Sequence, residues 1–119
     1  MSPSPSGESR LRTLDGESWA AHLAAPLAVL VLGKSDCAAC SSWTEELAAF
    51  LESDAAFGEV AFGKLLLDQR GLTSFKRENP WLAEVDALPF NVIYKAGQRV
   101  KSYAGGGIER LTGRLESLR

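Results

Sequence analysis

Continuous hydrophobic runs and helical stripes alternate along the first half of this chain. Residues 27–32 form an unbroken run rich in valine and leucine, and residues 60–67 form a second, nearly unbroken one. Such runs are typical of strands that are buried on both faces of a sheet. Between them, residues 37–52 place hydrophobic side chains at the three- and four-residue spacing of an amphipathic helix. A shorter helical stripe begins after Asp15, the predicted N-cap, and ends at Pro26, because proline cannot continue a helix.

The second half predicts a broken helix, a hairpin and a terminal helix. Residues 72–85 have helical spacing that Pro80 interrupts. Residues 90–94 and 100–103 favour two strands, because a glycine-containing turn of four residues joins them. Hydrophobic residues recur at helical spacing over 108–118, which marks an amphipathic helix at the end of the chain.

A short alternating segment at residues 11–14 predicts an edge strand in front of these elements. The order β-α-β-α-β-α-β-β-α then predicts an α/β domain, a central mixed sheet with helices on both faces, over residues 11–119. Residues 1–10 are polar and rich in proline and serine, so we expect a disordered tail there. The tail lacks the charged and apolar segments of a secretory signal, which favours a cytoplasmic location.

Composition excludes several classes of function. Of the 119 residues, 45% are hydrophobic and 24% are charged, with a net charge of only −2 and no basic block. These values indicate one globular domain and argue against nucleic-acid binding. The longest apolar run, residues 27–32, is far shorter than the ~20 residues that cross a bilayer. We therefore expect a monomer without membrane or nucleic-acid partners.

The only two cysteines, Cys37 and Cys40, lie where the first buried strand gives way to a helix. At this spacing both sulfurs share one face of the first helical turn, close to backbone N–H groups that lack helical partners. Those groups favour thiolate over thiol, which indicates thiol–disulfide exchange. Inert buried thiols and metal binding are the alternatives. Zinc needs four ligands, and the single histidine, His22, lies in another predicted element.

Several further residues give this region a resemblance to the thioredoxin family, which extends over nearly everything after residue 11. A lysine and an aspartate lie in and after the second buried strand, a Leu-Pro pair precedes the hairpin, and two glycines follow that proline by eight and sixteen positions. These residues are Lys64, Asp68, Leu88, Pro89, Gly97 and Gly105.

The resemblance implies a thioredoxin-like fold and a protein-disulfide oxidoreductase. Cys37 would be the nucleophile and Cys40 the resolving thiol, with no cofactor beyond their own redox-active disulfide and no metal. Pro89 would follow a cis peptide bond, although an ordinary edge-strand proline is the alternative, and Leu88 would offer backbone groups to a bound client. The implied partners are disulfide-containing proteins and an electron donor, either a thioredoxin-reductase-like flavoprotein or a small thiol.

The chain departs from the family at the residues that tune the cysteines. Ala38 and Ala39 replace the usual Gly-Pro, Asp36 replaces a tryptophan, and Val31 replaces a buried acid. We expect Asp36 to cap the helix, while its negative charge opposes the helix dipole at Cys37. Lys64 loses its acidic partner and is a candidate proton acceptor for Cys40, although a lysine that reaches solvent is the simpler expectation. These departures leave a second function open, a non-catalytic or redox-sensing binding module.

Two other side chains are predicted without a functional role. Trp43 falls on the core stripe of the cysteine helix, and packing accounts for it. His22 is predicted to be a solvated helix residue.

The segment between Asp68 and Pro89 is also longer than in a minimal thioredoxin, so we expect residues 75–84 to reshape the surface that a client meets.

Overall fold

A computed structural model describes residues 10–119 as five strands, four α-helices and one 3₁₀ helix. The strands are β1 Leu11–Thr13, β2 Leu27–Gly33, β3 Ala61–Leu66, β4 Phe90–Lys95 and β5 Gln98–Ala104. The helices are α1 Trp19–Leu23, α2 Ala38–Ser53, α3 Thr73–Glu78, the 3₁₀ helix Pro80–Glu84 and α4 Ile108–Glu116. Of the predicted tail, only Arg10 lies within the described residues, where it pairs with Asp54 at 3.1 Å.

The strands form one mixed sheet in the order β1-β3-β2-β4-β5. β3 pairs in parallel with β1 and β2, whereas β4 is antiparallel to both β2 and β5. The predicted α/β architecture is therefore confirmed. All seven residues of β2 are buried, as the unbroken hydrophobic run predicts, because β2 is the central strand with helices over both faces.

Two hydrophobic cores lie on opposite faces of the sheet. The site-side core joins the sheet to α2 and α4 and contains Val29, Val31, Trp43, Leu47, Ile93 and Leu111, among others. The far-side core joins the sheet to α1, α3 and the 3₁₀ helix and contains Leu23, Leu30, Leu65, Phe75, Val92 and Tyr94, among others. Adjacent strand residues belong to different cores, because side chains of a strand alternate between the two faces.

Two details of the helices differ from the sequence predictions. Ser18, not Asp15, is the N-cap of α1. Asp15 instead holds the preceding turn, since its carboxylate accepts the N–H groups of Glu17 at 2.9 Å and Ser18 at 3.0 Å. The break predicted at Pro80 is present, and the segment beyond it differs only in being a 3₁₀ helix instead of a further α-helical turn. No helix between residues 10 and 119 is long and apolar enough to cross a membrane.

The prediction that His22 is solvated is wrong. Its side chain is buried, with 3% of its surface exposed, and Nε2–H donates to the Val29 carbonyl at 3.1 Å. The reason lies in Gly63 of β3, where a Cβ would come within 2.8 Å of the imidazole ring. The missing side chain leaves space for the ring against the sheet. Burial lowers the pKa of His22, with a smaller contribution from Arg12.

Candidate active site

The cysteine pair lies at the carboxyl end of β2, where α2 begins. Cys37 is the N-cap of α2, and its Sγ accepts the N–H of Cys40 at 3.1 Å. The two sulfurs are bonded as a disulfide, with the Cα atoms 5.2 Å apart. The prediction that Asp36 caps this helix is wrong, because the Cys37 sulfur occupies the capping position while Asp36 is exposed. The sulfur of Cys37 thus meets the positive end of the helix dipole directly.

The two cysteines differ in exposure. Cys37 is partly exposed, whereas only 4% of the Cys40 surface is exposed. Gly33 makes room for Cys40, since a Cβ at Gly33 would lie 3.0 Å from its Cβ and 3.1 Å from its Sγ. Of the two cysteines, Cys37 is therefore the one that a group approaching from solvent can reach.

Leu88 and Pro89 lie at the same end of the sheet as the cysteines. Leu32 of β2 pairs with Phe90 of β4, so the residues just before Phe90 lie beside those just after Leu32. The Leu88–Pro89 peptide bond is cis, and the Pro89 carbonyl accepts the N–H of Gly105 at 2.8 Å. Pro89 is buried, whereas Leu88 is partly exposed. The fold thus brings together cysteines and a Leu-Pro pair that are about fifty positions apart.

A small cavity of about 260 Å³ lies next to Cys40. Its lining includes Val31, Gly33, Cys40, Thr44 and Lys64. Lys64 is partly exposed and forms no ion pair within residues 10–119. Val31 pairs with Lys64 on β3, so the side chain directly beside this lysine on β2 is apolar. Two lysines, Lys34 and Lys64, line this cavity together with Cys40 in the described part of the chain.

The loop before Cys37 is held by a contact that the sequence did not reveal. The backbone N–H of Ser35 donates to the Asp68 carboxylate at 3.2 Å, and the Ser35 hydroxyl donates to it as well. The hydrogen bond from the Ser35 hydroxyl lowers the pKa of Asp68. Asp68 follows β3, so this contact joins the loop that carries Cys37 to the neighbouring strand. The paired strand ends are the only sequence signal for it.

A second missed contact lies one helical turn beyond Cys40. Trp43 is buried, as predicted, but its indole N–H also donates to the Asn91 carboxamide oxygen at 2.8 Å. Asn91 lies two residues after Pro89 and is fully buried. The sequence signal that could have indicated this contact is an asparagine inside an otherwise apolar strand.

A larger cleft, about 890 Å³, opens beside Leu88. The segment between Asp68 and Pro89 forms most of its lining, including Lys76, Leu82 and Val85, and Lys34 and Leu67 also line it. This is the segment that, from the sequence, we expect to shape the surface beside the site. Within residues 10–119 no group of three or more histidine, cysteine, aspartate or glutamate side chains is placed to hold a metal ion.

Comparison with known proteins shows which solved structures share this architecture. No family model matches the sequence, and no curated protein matches it at a significant level. Solved structures do match. The thioredoxin NaTrxh of Nicotiana alata is 22% identical with a TM-score of 0.72, over 100% of this chain and 98% of its own. Chlamydomonas reinhardtii thioredoxin f2 is 20% identical with a TM-score of 0.71, over 92% of this chain and 96% of its own.

A third solved structure gives the same result. The thioredoxin of Malassezia sympodialis is 16% identical with a TM-score of 0.72, and the match covers 98% of this chain and 96% of that one. At identities this low the matches establish the fold of the backbone alone. The chemistry of the site is inferred from the residues described above. The chain has the thioredoxin fold, with a bonded Cys37–Cys40 pair at the start of its second helix.

Proposed function

We propose that this protein is a thiol–disulfide oxidoreductase that reduces disulfides of other proteins. The observation that carries the proposal is the Cys37–Cys40 disulfide at a helix N-terminus, in which the first cysteine is partly exposed and the second is buried. A bond that closes between two such thiols can accept and release two electrons without a further cofactor.

The first step is attack by Cys37. In the reduced protein its thiolate, stabilised by the Cys40 N–H and the dipole of α2, attacks one sulfur of the client disulfide. The Cys37–client bond forms as the client's own S–S bond breaks, and the released client thiolate takes up a proton. Leu88 would position the client by pairing its backbone with an extended segment.

The second step is resolution by Cys40. Cys40 loses its proton and attacks the Cys37 sulfur, which forms the Cys37–Cys40 bond and releases the second client thiolate. The client gains two electrons and two protons, and the protein is left oxidised. A flavoprotein reductase or a small thiol would return the two electrons. We further propose that the protein acts as a monomer in the cytoplasm.

Two residues are proposed to tune these steps. Asp36 precedes Cys37 and is exposed, so its negative charge would disfavour the attacking thiolate. Lys64 lines the cavity beside Cys40, where it would accept or relay the proton of the resolving thiol. No acid occupies the Val31 position to share this role.

The proposal is tested by following reduction of insulin disulfides with dithiothreitol as electron donor. The wild-type protein should accelerate the reaction, and Cys37→Ser should reduce the rate to the uncatalysed background because the nucleophile is absent. Cys40→Ser should accumulate a mixed disulfide with the client, visible by mass spectrometry, because resolution is removed. Ser42→Ala, an exposed change on the same helix, should retain the wild-type rate.

The same variants test the alternative, a binding module whose cysteines are not catalytic. The apolar Val31 beside Lys64 favours that alternative, since it removes an acid that would help Cys40 to lose its proton. If wild type and Cys37→Ser are equally inactive on insulin and on a panel of other protein disulfides, the oxidoreductase proposal fails. Partner capture that survives replacement of both cysteines by serine would then support the module.

A further inference from the structure

We propose that Asn91 is a positioning residue, which holds the cysteine helix against the Leu88–Pro89 segment and so sets the rate of exchange with protein clients. This inference rests on the proposed oxidoreductase function and concerns how its two halves are aligned. Asn91 is fully buried and lies in β4, a different element from the helix that carries the cysteines.

The first argument is that the carboxamide of Asn91 is fully engaged. Its oxygen accepts the indole N–H of Trp43 at 2.8 Å. Its nitrogen donates to the carbonyls of Gly105 at 2.6 Å and Tyr103 at 3.3 Å, which uses both N–H bonds. A buried amide is costly unless it is bonded in this way, so these contacts determine where Asn91 and its partners must lie.

The second argument is that these bonds connect the two parts of the site. Trp43 lies on α2, three residues after Cys40. On the other side, the N–H of Gly105 donates to the Pro89 carbonyl at 2.8 Å. A continuous series of contacts thus runs from the cysteine helix through Trp43, Asn91 and Gly105 to Pro89. Through it, a shift of α2 relative to the client-binding segment would strain or break a hydrogen bond.

The third argument is that the packing around Trp43 leaves little freedom. A Cβ at Gly106 would lie 3.1 Å from the indole ring, so the ring rests directly on the backbone that follows Gly105. An apolar residue at position 91 could fill the core without any polar group to satisfy. Buried polar networks rigidify a unique arrangement, and here the arrangement is that of the proposed nucleophile relative to its client.

The test compares a protein disulfide with a small one. Insulin would use both Cys37 and the Leu88–Pro89 segment, whereas hydroxyethyl disulfide needs little beyond the thiolate. Asn91→Leu should lower kcat for insulin about tenfold and change KM less. The reason is that a misplaced Cys37 slows attack on a client disulfide that is already bound. The rate with hydroxyethyl disulfide, and the equilibrium of Cys37–Cys40 with glutathione, should stay within about twofold of wild type.

Trp43→Phe provides a second variant, since it retains an aromatic ring but removes the indole donor. It should show the same selective loss, about threefold, because the Asn91–Gly105 bonds remain. Trp19→Phe is the matched control: Trp19 packs edge-on against Phe75 in the far-side core, with ring centroids 5.1 Å apart. The same chemical change there should leave both rates unaltered. All rates are referred to folded protein, as measured by urea unfolding.

The outcomes separate the two levels of the proposal. A wild-type protein that is inactive on both disulfides overturns the oxidoreductase function, and the role of Asn91 with it. An active wild type whose Asn91→Leu and Trp43→Phe variants retain its insulin rate overturns only the positioning role. Equal losses with both disulfides also overturn it, because they indicate damage to the cysteines themselves. If Asn91→Leu does not fold, Trp43→Phe decides the question.

Discussion

Between residues 10 and 119, each face of the sheet buries one imidazole or carboxamide side chain, and the two differ in how completely they are hydrogen-bonded. On the site side, Asn91 is fully buried and has hydrogen bonds to three partners. On the far side, His22 is 3% exposed and bonds through Nε2 to Val29, while its Nδ1 has no partner within the described part of the chain. The two residues are therefore expected to respond differently to substitution and to pH.

The difference follows from what each side chain connects. Asn91 joins the cysteine helix, the strand that follows Pro89 and the Gly105 segment, all of which belong to the candidate site. His22 joins α1 to β2 at a position away from the cysteines. A change on the site side should therefore alter exchange more than stability, and a change on the far side should alter stability more than exchange.

Two glycines give the largest expected contrast. A Cβ at Gly63 would lie 2.7 Å from Leu14 Cδ1 and 2.8 Å from the His22 ring, both well inside contact distance. Gly63→Ala should lower the free energy of unfolding by about 2 kcal/mol through overpacking, without changing the exchange rate of folded protein. Gly33→Ala presses less severely on Cys40 and should cost about 1 kcal/mol, but slow insulin reduction about tenfold.

Urea unfolding and insulin reduction, measured on both variants, check this contrast. Neither glycine has a positive φ, so the added Cβ acts through space and not through backbone strain. A Gly33→Ala protein with wild-type exchange, or a folded Gly63→Ala protein with impaired exchange, would contradict the division between the two faces.

The second contrast is the response of stability to acid. Because burial lowers the pKa of His22 in the folded protein, the unfolded chain binds the proton more readily. The contribution of the neutral ring is fully present above the unfolded pKa of about 6.5 and is lost as the pH falls toward the lower folded value. Between pH 6.5 and 5.5 wild type should lose up to about 1 kcal/mol more than His22→Gln, whose amide can still donate to Val29.

The measurement is the free energy of unfolding by urea at pH 7.5, 6.5 and 5.5. His22 is the only histidine, so no second imidazole contributes in this range. Parallel pH curves for wild type and His22→Gln would show that the buried ring is not a source of acid sensitivity. The unfolding free energy of Asn91→Leu should depend on pH as that of wild type does, because the substitution neither adds nor removes a group that titrates in this range.

The smallest expected effects concern the two tuning residues on the site side. Asp36→Asn removes a charge beside Cys37 and should raise the rate of attack about threefold at pH 6, equivalent to ~0.6 kcal/mol, as expected for an exposed charge. Lys64→Met should lengthen the lifetime of the mixed disulfide about threefold, without slowing the first step. Rapid-quench analysis of client reduction separates the two steps.

Neither substitution should change the free energy of unfolding appreciably, in contrast to Gly63→Ala. If the Asp36→Asn variant attacks client disulfides at the wild-type rate throughout pH 6 to 8, Asp36 does not tune Cys37. A mixed disulfide that resolves at the wild-type rate in Lys64→Met would likewise show that Lys64 does not tune Cys40.

Much of the fold was predictable because its signals are local. The run over 27–32 predicts a strand that is buried on both faces, and every residue of β2 is buried. Pro80 predicts a break in the helical segment, and the break is present. These features depend on side-chain periodicity and on the backbone chemistry of proline, which act over a few residues.

The parts that were missed depend on long-range packing. The solvated location predicted for His22 is wrong because it depends on Gly63, forty-one positions later. The role of Cys37 as helix cap, in place of Asp36, is a local exception: it depends on which of two adjacent side chains reaches the Cys40 N–H, only three positions away. Such outcomes are decided by the shape of the surroundings, which a pattern of hydrophobic and polar positions does not contain.

By itself, the sequence determined the strands and helices and the closeness of Cys37 and Cys40, because a three-residue spacing at a helix start brings two sulfurs together. Only the tertiary structure decided what surrounds that pair. The Trp43–Asn91 bond spans 48 positions, and Leu88–Pro89 reaches the same edge only through the pairing of β4 with β2. The physical reason is that periodicity records which face a residue prefers, whereas its partners depend on how all the elements pack.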